Sequence, residues 1–560
     1  MIERSGLYFA PIAQGYDDFV AAQQRLGAVK VEVTSTGAIL ESHNLRLRLR
    51  RAHQADEAKE CMRAVYFDLL ILDCRDLGTG IADAAVANIA AVSLLDALRS
   101  EGDAELRFSF SRAVALVGCA DTEVVDRLIF ALGERRVGAC LHDLSLLTGA
   151  SPPAQAKARL AEQFWTFCDS ALTQRRPGKK SINLAGGGIS AIYYELGVIK
   201  CLEDACDCDL RDFDMFFGIS AGAFVAAGLA NGFHIDELIA NIGDVGGAWP
   251  HQFRLRWRNL NIGELPRRLG HVQKNLAQYL VRTLRGQADF SVSTIVGTYA
   301  SLLGPMFDNA EIEKMIRGAF SLAGHTDDFH ALSRELYIGA TDQDSRESVL
   351  FGDEPFRDVP ISKAIRASSA SHPFFTSVRI GERYFTDGMV TRTSNVSTAI
   401  DKGADLVFVI EPFVPLIVDK PGYNARHGNL WLIIQDLKTI GYSRFARARE
   451  EILRQNPQVS VYTFVPSNRM RELMSQNPFA TRNFHPIVCE AYQSTYRRMR
   501  QIEYKLRAEL AMHGIHLDLA PVEARVTRLS AAAKPDARLL LEGEAGQQGA
   551  TEPGDRAPSR

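Results

Sequence analysis

Apolar residues along this chain gather into short runs, separated by stretches in which they recur every third or fourth position, as expected where strands alternate with helices. In the first third, Gly6–Ile12, Val65–Cys74 and Ala113–Gly118 read as strands, and Asp83–Leu98 and Thr122–Leu132 as helices. From residue 181 to about 515 the alternation resumes. Strands are predicted over 181–185, 213–217, 335–341, 348–352 and 405–411, and an Ala-rich helix over Ala221–Leu229. Near the C-terminus Tyr492, Tyr496, Met499, Ile502, Leu506 and Leu510 form one stripe, which predicts an amphipathic helix over Glu490–His513 with that stripe as core packing. Runs that are apolar throughout fit strands covered on both faces. The pattern therefore predicts an α/β fold with a mostly parallel sheet, preceded by a smaller α/β N-terminal domain.

Residues 173–180 (Thr-Gln-Arg-Arg-Pro-Gly-Lys-Lys) interrupt the pattern and read as a linker. The expected organisation is an N-terminal domain over 1–172 of unknown role, a second domain over 181–515, and a disordered tail over 530–560, rich in Ala, Gly, Glu, Gln and Pro. In the first domain the strand Leu70-Ile71-Leu72-Asp73 resembles that of a response-regulator receiver, but the acidic pair expected after the first strand is missing.

A net charge of −3 over 560 residues provides no overall field for nucleic acid, so no nucleic-acid partner is expected. Nine scattered cysteines suit a reducing compartment. Cys201, Cys206 and Cys208 cluster without a second Cys/His pair at zinc spacing, so neither metal nor other cofactor is expected. The start lacks a basic, then apolar, leader, and no run approaches about 18 apolar residues. These features lead to the expectation of a soluble, cytoplasmic protein with at most peripheral membrane contact.

Two glycine-rich turns carry the candidate chemistry. Gly218-Ile219-Ser220-Ala221-Gly222 lies between a predicted strand and a predicted helix, the context of a nucleophile elbow: its glycines allow a tight turn that presents Ser220 above a sheet. Gly186-Gly187-Gly188 also follows a strand and opens a helix, where backbone N–H groups can face a developing oxyanion. Gly186-Gly187-Gly188-Ile189-Ser190-Ala191 also satisfies the dinucleotide fingerprint G-x-G-x-x-A. That reading needs an acidic residue ending the next strand, which here ends in Gly218-Ile219-Ser220.

A third segment, Ala367-Ser368-Ser369-Ala370-Ser371-His372-Pro373, is followed by Thr386-Asp387-Gly388. With the two turns, and in the same order, it resembles the patatin-like phospholipases over about residues 181–500. Met306-Phe307-Asp308, Thr341-Asp342 and Gly403-Ala404-Asp405 echo the same family. The resemblance implies a three-layer α/β/α domain and a lipid acyl hydrolase with a Ser–Asp dyad, acting on phospholipid or another acyl ester. Residue by residue, it makes Ser220 the nucleophile and Asp387 its base. Gly186, Gly187, Gly188 and Ala221 would form the oxyanion hole, and Gly218 and Gly222 shape the elbow. Ser190 stands where the family usually has Arg or Lys, and Met389 where Gly or Ala commonly follows the Asp-Gly pair; both departures leave open a catalytically weak lipid-binding or regulatory module. Transfer of the acyl group to an alcohol is a further alternative. In another hydrolase order Ser220 and Asp387 would be joined by His427, His485, His513 or His516, none in a recognisable catalytic turn. Arg254, Arg256, Arg258, Arg267, Arg268, Lys274, Arg282 and Arg285, with Trp249, Phe253 and Trp257, make a basic, aromatic stretch suited either to a lipid surface or to a solvated helical cap.

Overall fold

The computed structural model describes residues 2–75, 89–100, 108–118, 122–142, 153–173, 178–243, 309–372, 374–456, 458–475 and 483–541, with a few positions between 245 and 285. Contacts divide the chain into two units. One comprises 1–178, 450–461 and 499–517, and the other 179–449, 462–498 and 518–560.

In the first unit the strands are β1 (Ile2–Phe9), β2 (Lys30–Val33), β3 (Gly37–Glu41), β4 (Leu45–Ala52), β5 (Leu69–Cys74), β6 (Ala113–Val117) and β7 (Ala139–His142). The helices are α1 (Ala13–Gln24), α2 (Ala55–Ala64), α3 (Ala90–Ser100), α4 (Thr122–Glu134) and α5 (Pro153–Cys168). The sheet order is β2-β3-β4-β1-β5-β6-β7. Strands β4, β1, β5, β6 and β7 run parallel, and β2 and β3 pair antiparallel at one edge. All six residues of β5 are buried, as a strand covered on both faces requires. Strand order reverses between β1 and β5, the place where open α/β sheets commonly bind ligands. Here Tyr8 Oη donates to Asp73 Oδ2 (2.7 Å) and Arg75 pairs with the same carboxylate (2.7 Å), while Ala10-Pro11-Ile12 follows β1.

The second unit holds β8 (Lys179–Leu184), β9 (Met215–Ile219), β10 (Glu335–Asp342), β11 (Ser348–Phe351), β12 (Val378–Ile380), β13 (Arg383–Asp387), β14 (Ala404–Ile410) and β15 (Ser460–Phe464), the last beginning in residues that group with the first unit. Its helices are α6 (Ile189–Ala205), α7 (Ala221–Ala230), α8 (Ile235–Ile242), α9 (Ala310–Phe320), α10 (Ile361–Ser368), α11 (Val396–Asp401), α12 (Asn429–Gln455), α13 (Asn468–Ser475), α14 (Phe484–Met512) and α15 (Ala520–Ala531), of which α12 and α14 extend into the first unit. The sheet order is β12-β13-β10-β9-β8-β14-β15, with β11 paired to β10. Strands β10, β9, β8 and β14 are parallel, and β11, β13 and β12 add an antiparallel edge. Both sheets are thus mostly parallel within a mixed α/β architecture, as the apolar pattern predicted.

Helix α14 contains the predicted stripe, with Tyr492, Met499, Ile502, Leu506 and Leu510 at most 1% exposed. Within the region expected as a tail, residues 530–541 hold the end of α15 and a 3-10 turn over Ala537–Leu540; residues 542–560 lie outside the described residues. So does most of the basic stretch over 254–285, as do Trp249, Phe253, Trp257 and the Met306-Phe307-Asp308 echo.

Candidate active site

The site forms where β8 and β9 each run into a helix. Between β8 and α6 the three glycines bend the chain back, and Gly187 and Gly188 have φ of 148° and 77°, values that L side chains rarely adopt. Gly186 is needed for a different reason. A Cβ there would lie 2.2 Å from Met389 Sδ and 2.8 Å from Ser220 Cβ, so its lack of side chain is what brings the loop against the serine.

Ser220 joins β9 to α7 with φ 54° and ψ −117°, the strained conformation expected of an elbow. Every residue of α7 is buried, and its first turn packs directly against the end of β8. A Cβ on Gly222 would come within 2.5 Å of the Leu184 carbonyl. Gly188, which has no side chain to cap with, and Ser220, whose hydroxyl does not cap, are the N-cap residues of α6 and α7. Two helix N-termini, where backbone N–H groups lack intrahelical acceptors, therefore begin within this one small region.

Strand register brings Asp387 to Ser220. Ile219 on β9 pairs with Gly339 on β10, and the next residue of β10, Ala340, pairs with Asp387 on β13. Ser220 and Asp387 thus reach the same level on opposite sides of β10. Gly388 fits there closely, since a Cβ on it would lie 2.4 Å from the Gly339 carbonyl oxygen. The Asp387 carboxylate accepts a hydrogen bond from the Met389 N–H at 2.9 Å to Oδ1, and the Ser220 hydroxyl is near enough to favour its charged form. Burial pushes its pKa up to about 6, against the lowering influence of the Met389 N–H and the nearby Ser220 hydroxyl.

The Ala367–Ala370 segment ties the two halves together. Ser368 Oγ accepts the Ser220 N–H at 2.8 Å and donates to the Gly339 carbonyl at 2.6 Å. Ser369 Oγ reaches the Ser220 carbonyl at 3.4 Å. The Ala370 carbonyl accepts Asp387 N–H at 3.2 Å and Thr386 Oγ1–H at 2.6 Å. One short turn therefore grips the backbone of the serine and of the aspartate at once. The sequence motif flagged this segment without disclosing what its hydroxyl groups hold.

Both departures from the family pattern can be placed. Ser190 is buried in the first turn of α6. Met389 contributes through its backbone N–H, which any residue would supply, and its thioether packs toward Gly186. Two of the histidines considered for a triad, His427 and His485, are engaged elsewhere. His427 Nδ1 faces the Tyr423 carbonyl, and His485 Nδ1 accepts the Ala537 N–H. His372 lies between the hydroxyls of Thr386 and Ser377, at 3.1 Å from each, and burial lowers its pKa.

Sequence reasoning missed two buried carboxyl groups behind the glycine loop. Glu195, on α6, and Glu411, just past β14, are 0% and 1% exposed. Desolvation raises both, Glu411 to about 8. Glu411 Oε1 accepts the Phe413 N–H at 3.0 Å. The side chains of Pro412 and Phe413 come to 3.7 Å from a Cβ placed on Gly187, so this turn lies against the loop.

The family model described as patatin-like phospholipase matches residues 183–400. A cUMP-AMP-activated phospholipase of Escherichia coli is 43% identical over 58 residues, which are 10% of this chain and 18% of that relative's length. Among solved structures, VipD from Legionella pneumophila covers 58% of this chain and 67% of its own, at 15% identity and a TM-score of 0.27. NtrX from Brucella abortus in complex with ATP covers 41% of each chain, at 12% identity and a TM-score of 0.17. At such TM-scores neither structure bears on the fold or the function of this chain.

Proposed function

Residues 183–400 belong to the patatin-like phospholipase family, and from this premise we infer that the chain hydrolyses fatty acyl esters of phospholipids or related lipids through Ser220 and Asp387. The observation that carries the inference is the strand register that sets the buried Ser220 and Asp387 side by side across β10, beside the glycine loop and two helix N-termini.

In this reading Asp387 takes the proton of Ser220 Oγ as that oxygen bonds to the acyl carbon. The carbonyl oxygen gathers negative charge facing the N–H groups of Gly186, Gly187, Gly188 and Ala221, and the two helix N-termini add favourable potential. The C–O bond to the leaving alcohol then breaks, and that alcohol takes the proton from Asp387. Water, losing a proton to Asp387, attacks the acyl-enzyme. Collapse returns that proton to Ser220 Oγ and frees the fatty acid. A carboxylate raised to about 6 remains mostly ionised at neutral pH, yet is more basic than an ordinary aspartate. Substrate would be met at a membrane surface; no described helix is long and apolar enough to cross a bilayer.

The test is fatty-acid release from phospholipid vesicles and from p-nitrophenyl butyrate. Ser220→Ala and Asp387→Asn should each lose at least about a thousandfold in kcat, and a fluorophosphonate should label Ser220. Labelling at another residue, or wild-type turnover retained in both variants, would overturn the assignment. Ser190, where the family usually has a cation, favours a second reading as a lipid-binding module; wild-type protein inert toward both substrates would favour it.

A further inference from the structure

Helix α12 turns a row of aliphatic side chains outward, although its inner face buries Phe445. Ile433, Leu437 and Ile440, at spacings of four and three, share one face and are 51%, 48% and 58% exposed. The opposite face buries Gln435 and Lys438, each 7% exposed. These polar residues have definite inward contacts. Gln435 Oε1 accepts the Leu416 N–H at 3.0 Å, and the Lys438 ammonium lies 5.8 Å from the centre of the Phe413 ring. The helix is thus fixed with its aliphatic stripe outward. An exposed set of aliphatic residues on one face is the mark of a binding surface.

The stripe leads to the candidate active site. Arg444, one turn beyond Ile440 on the same face, donates to the Val390 carbonyl at 3.2 Å and to the Thr391 carbonyl at 2.5 Å. Those carbonyls lie three and four residues past Asp387, and Val390 is itself 51% exposed. Arg447 follows on the exposed face, and Asp436 is the acidic residue bordering the stripe. Aliphatic residues followed by arginines make a surface with an apolar part for acyl chains and a basic part for anionic headgroups. A stable protein interface needs about 800 Å² from each partner, and four half-exposed aliphatic side chains supply less than that.

We propose that Ile433, Leu437, Ile440 and Val390, flanked by Arg444 and Arg447, form the face by which this protein docks on an anionic lipid surface. The choice of occupant rests on the lipid-hydrolase reading. A substrate that stays within its aggregate must reach Ser220 from a surface lying against the site, and this face borders the turn after Asp387.

The experiment separates docking from turnover. Full-length Ser220→Ala protein should sediment with mixed phosphatidylcholine–phosphatidylglycerol vesicles. The same protein carrying Ile433→Glu, Leu437→Glu and Ile440→Glu should bind them about tenfold or more weakly. With Ser220 intact, the triple variant should keep fluorophosphonate labelling and p-nitrophenyl butyrate turnover within about twofold of wild type while losing fatty-acid release from vesicles. A Leu437→Trp variant, which keeps an apolar face, should show a blue-shifted emission on vesicle addition. Unchanged vesicle binding in the triple variant would overturn the proposal. So would loss of labelling and soluble-ester turnover along with vesicle binding, since the face would then be internal packing. A dimer made monomeric by the three substitutions, with vesicle binding unaltered, would assign the face to a second copy and also overturn it. If vesicle binding depends on the face but wild type hydrolyses neither substrate, the docking surface stands and the hydrolase reading falls.

Discussion

Burial of Asp387 has consequences for both activity and stability. Its pKa of about 6 places the loss of the basic form within an accessible range, so kcat/KM should fall as pH drops through about 6 and level off above it. The stability consequence has the opposite sense. A carboxyl that holds its proton more tightly when folded than when unfolded makes folding less favourable as pH rises from about 4 to 6, by about 3 kcal/mol at most. Asp387→Asn, inert as an enzyme, should therefore melt higher than wild type at pH 7 and show little difference at pH 4 by calorimetry. Ser368 offers a second test at this scale. Replacing it with Ala leaves the buried Ser220 N–H and Gly339 carbonyl without that partner, at about 1–3 kcal/mol. With the elbow loosened, kcat should drop about tenfold, KM should change little, and Ser368→Thr, which retains the hydroxyl, should recover part of the loss.

The junctions of β8 with α6 and of β9 with α7 form one packed unit, because Gly222 leaves no space between α7 and the end of β8. Its Cβ would meet backbone atoms of Leu184 and Ala185, which cannot swing aside as a side chain can. Gly222→Ala should cost about 1–3 kcal/mol in chemical denaturation and reduce fluorophosphonate labelling. The turn after β14 carries a different load. Glu411, raised to about 8 by burial, stays mostly protonated in the folded protein at neutral pH, whereas it ionises near 4.5 when unfolded. Stability should thus decline as pH rises between those values, and Glu411→Gln should remove much of that decline in melting temperatures measured from pH 4 to 9. Elements were legible from sequence where apolar residues run together, most of them buried on both faces. Strands β8, β9, β10, β11 and β14 stand out as apolar runs. Strand β4 did not, although Leu45, Leu47 and Leu49 alternate with arginines and point inward. It has one polar face, and only a period of two would have found it. Strand β13, Arg383–Asp387, reads as polar and is a strand because β10 and β12 pair with it.

At the scale of the molecule, the first unit is not a contiguous stretch of chain. Residues 450–461 and 499–517 group with 1–178, and within that unit Arg112 lies 3.7 Å from Glu509, and the Tyr66 and Tyr504 rings are 5.8 Å apart. Deleting residues 1–178 should therefore expose Met499, Ile502, Leu506 and Leu510, which are buried in the full chain. The expected outcome is a protein that precipitates or melts roughly 10 °C lower, read by solubility and differential scanning. The stretch read from sequence as a linker, 173–180, whose last two residues instead open β8, gives no hint of this, because contact between distant segments leaves no local mark on either. The sequence by itself determined the features that depend on near neighbours: an α/β alternation, an elbow at Ser220, a glycine loop, and the motif that singled out Asp387. Tertiary structure decided what those features do together. Strand register carries Ser220 and Asp387 to one level across β10, a turn from α10 grips both, and burial tunes the carboxylate. The outward aliphatic stripe of α12 belongs there too, since the same helical period suits either an inward or an outward stripe, and the inward partners of Gln435 and Lys438 select one.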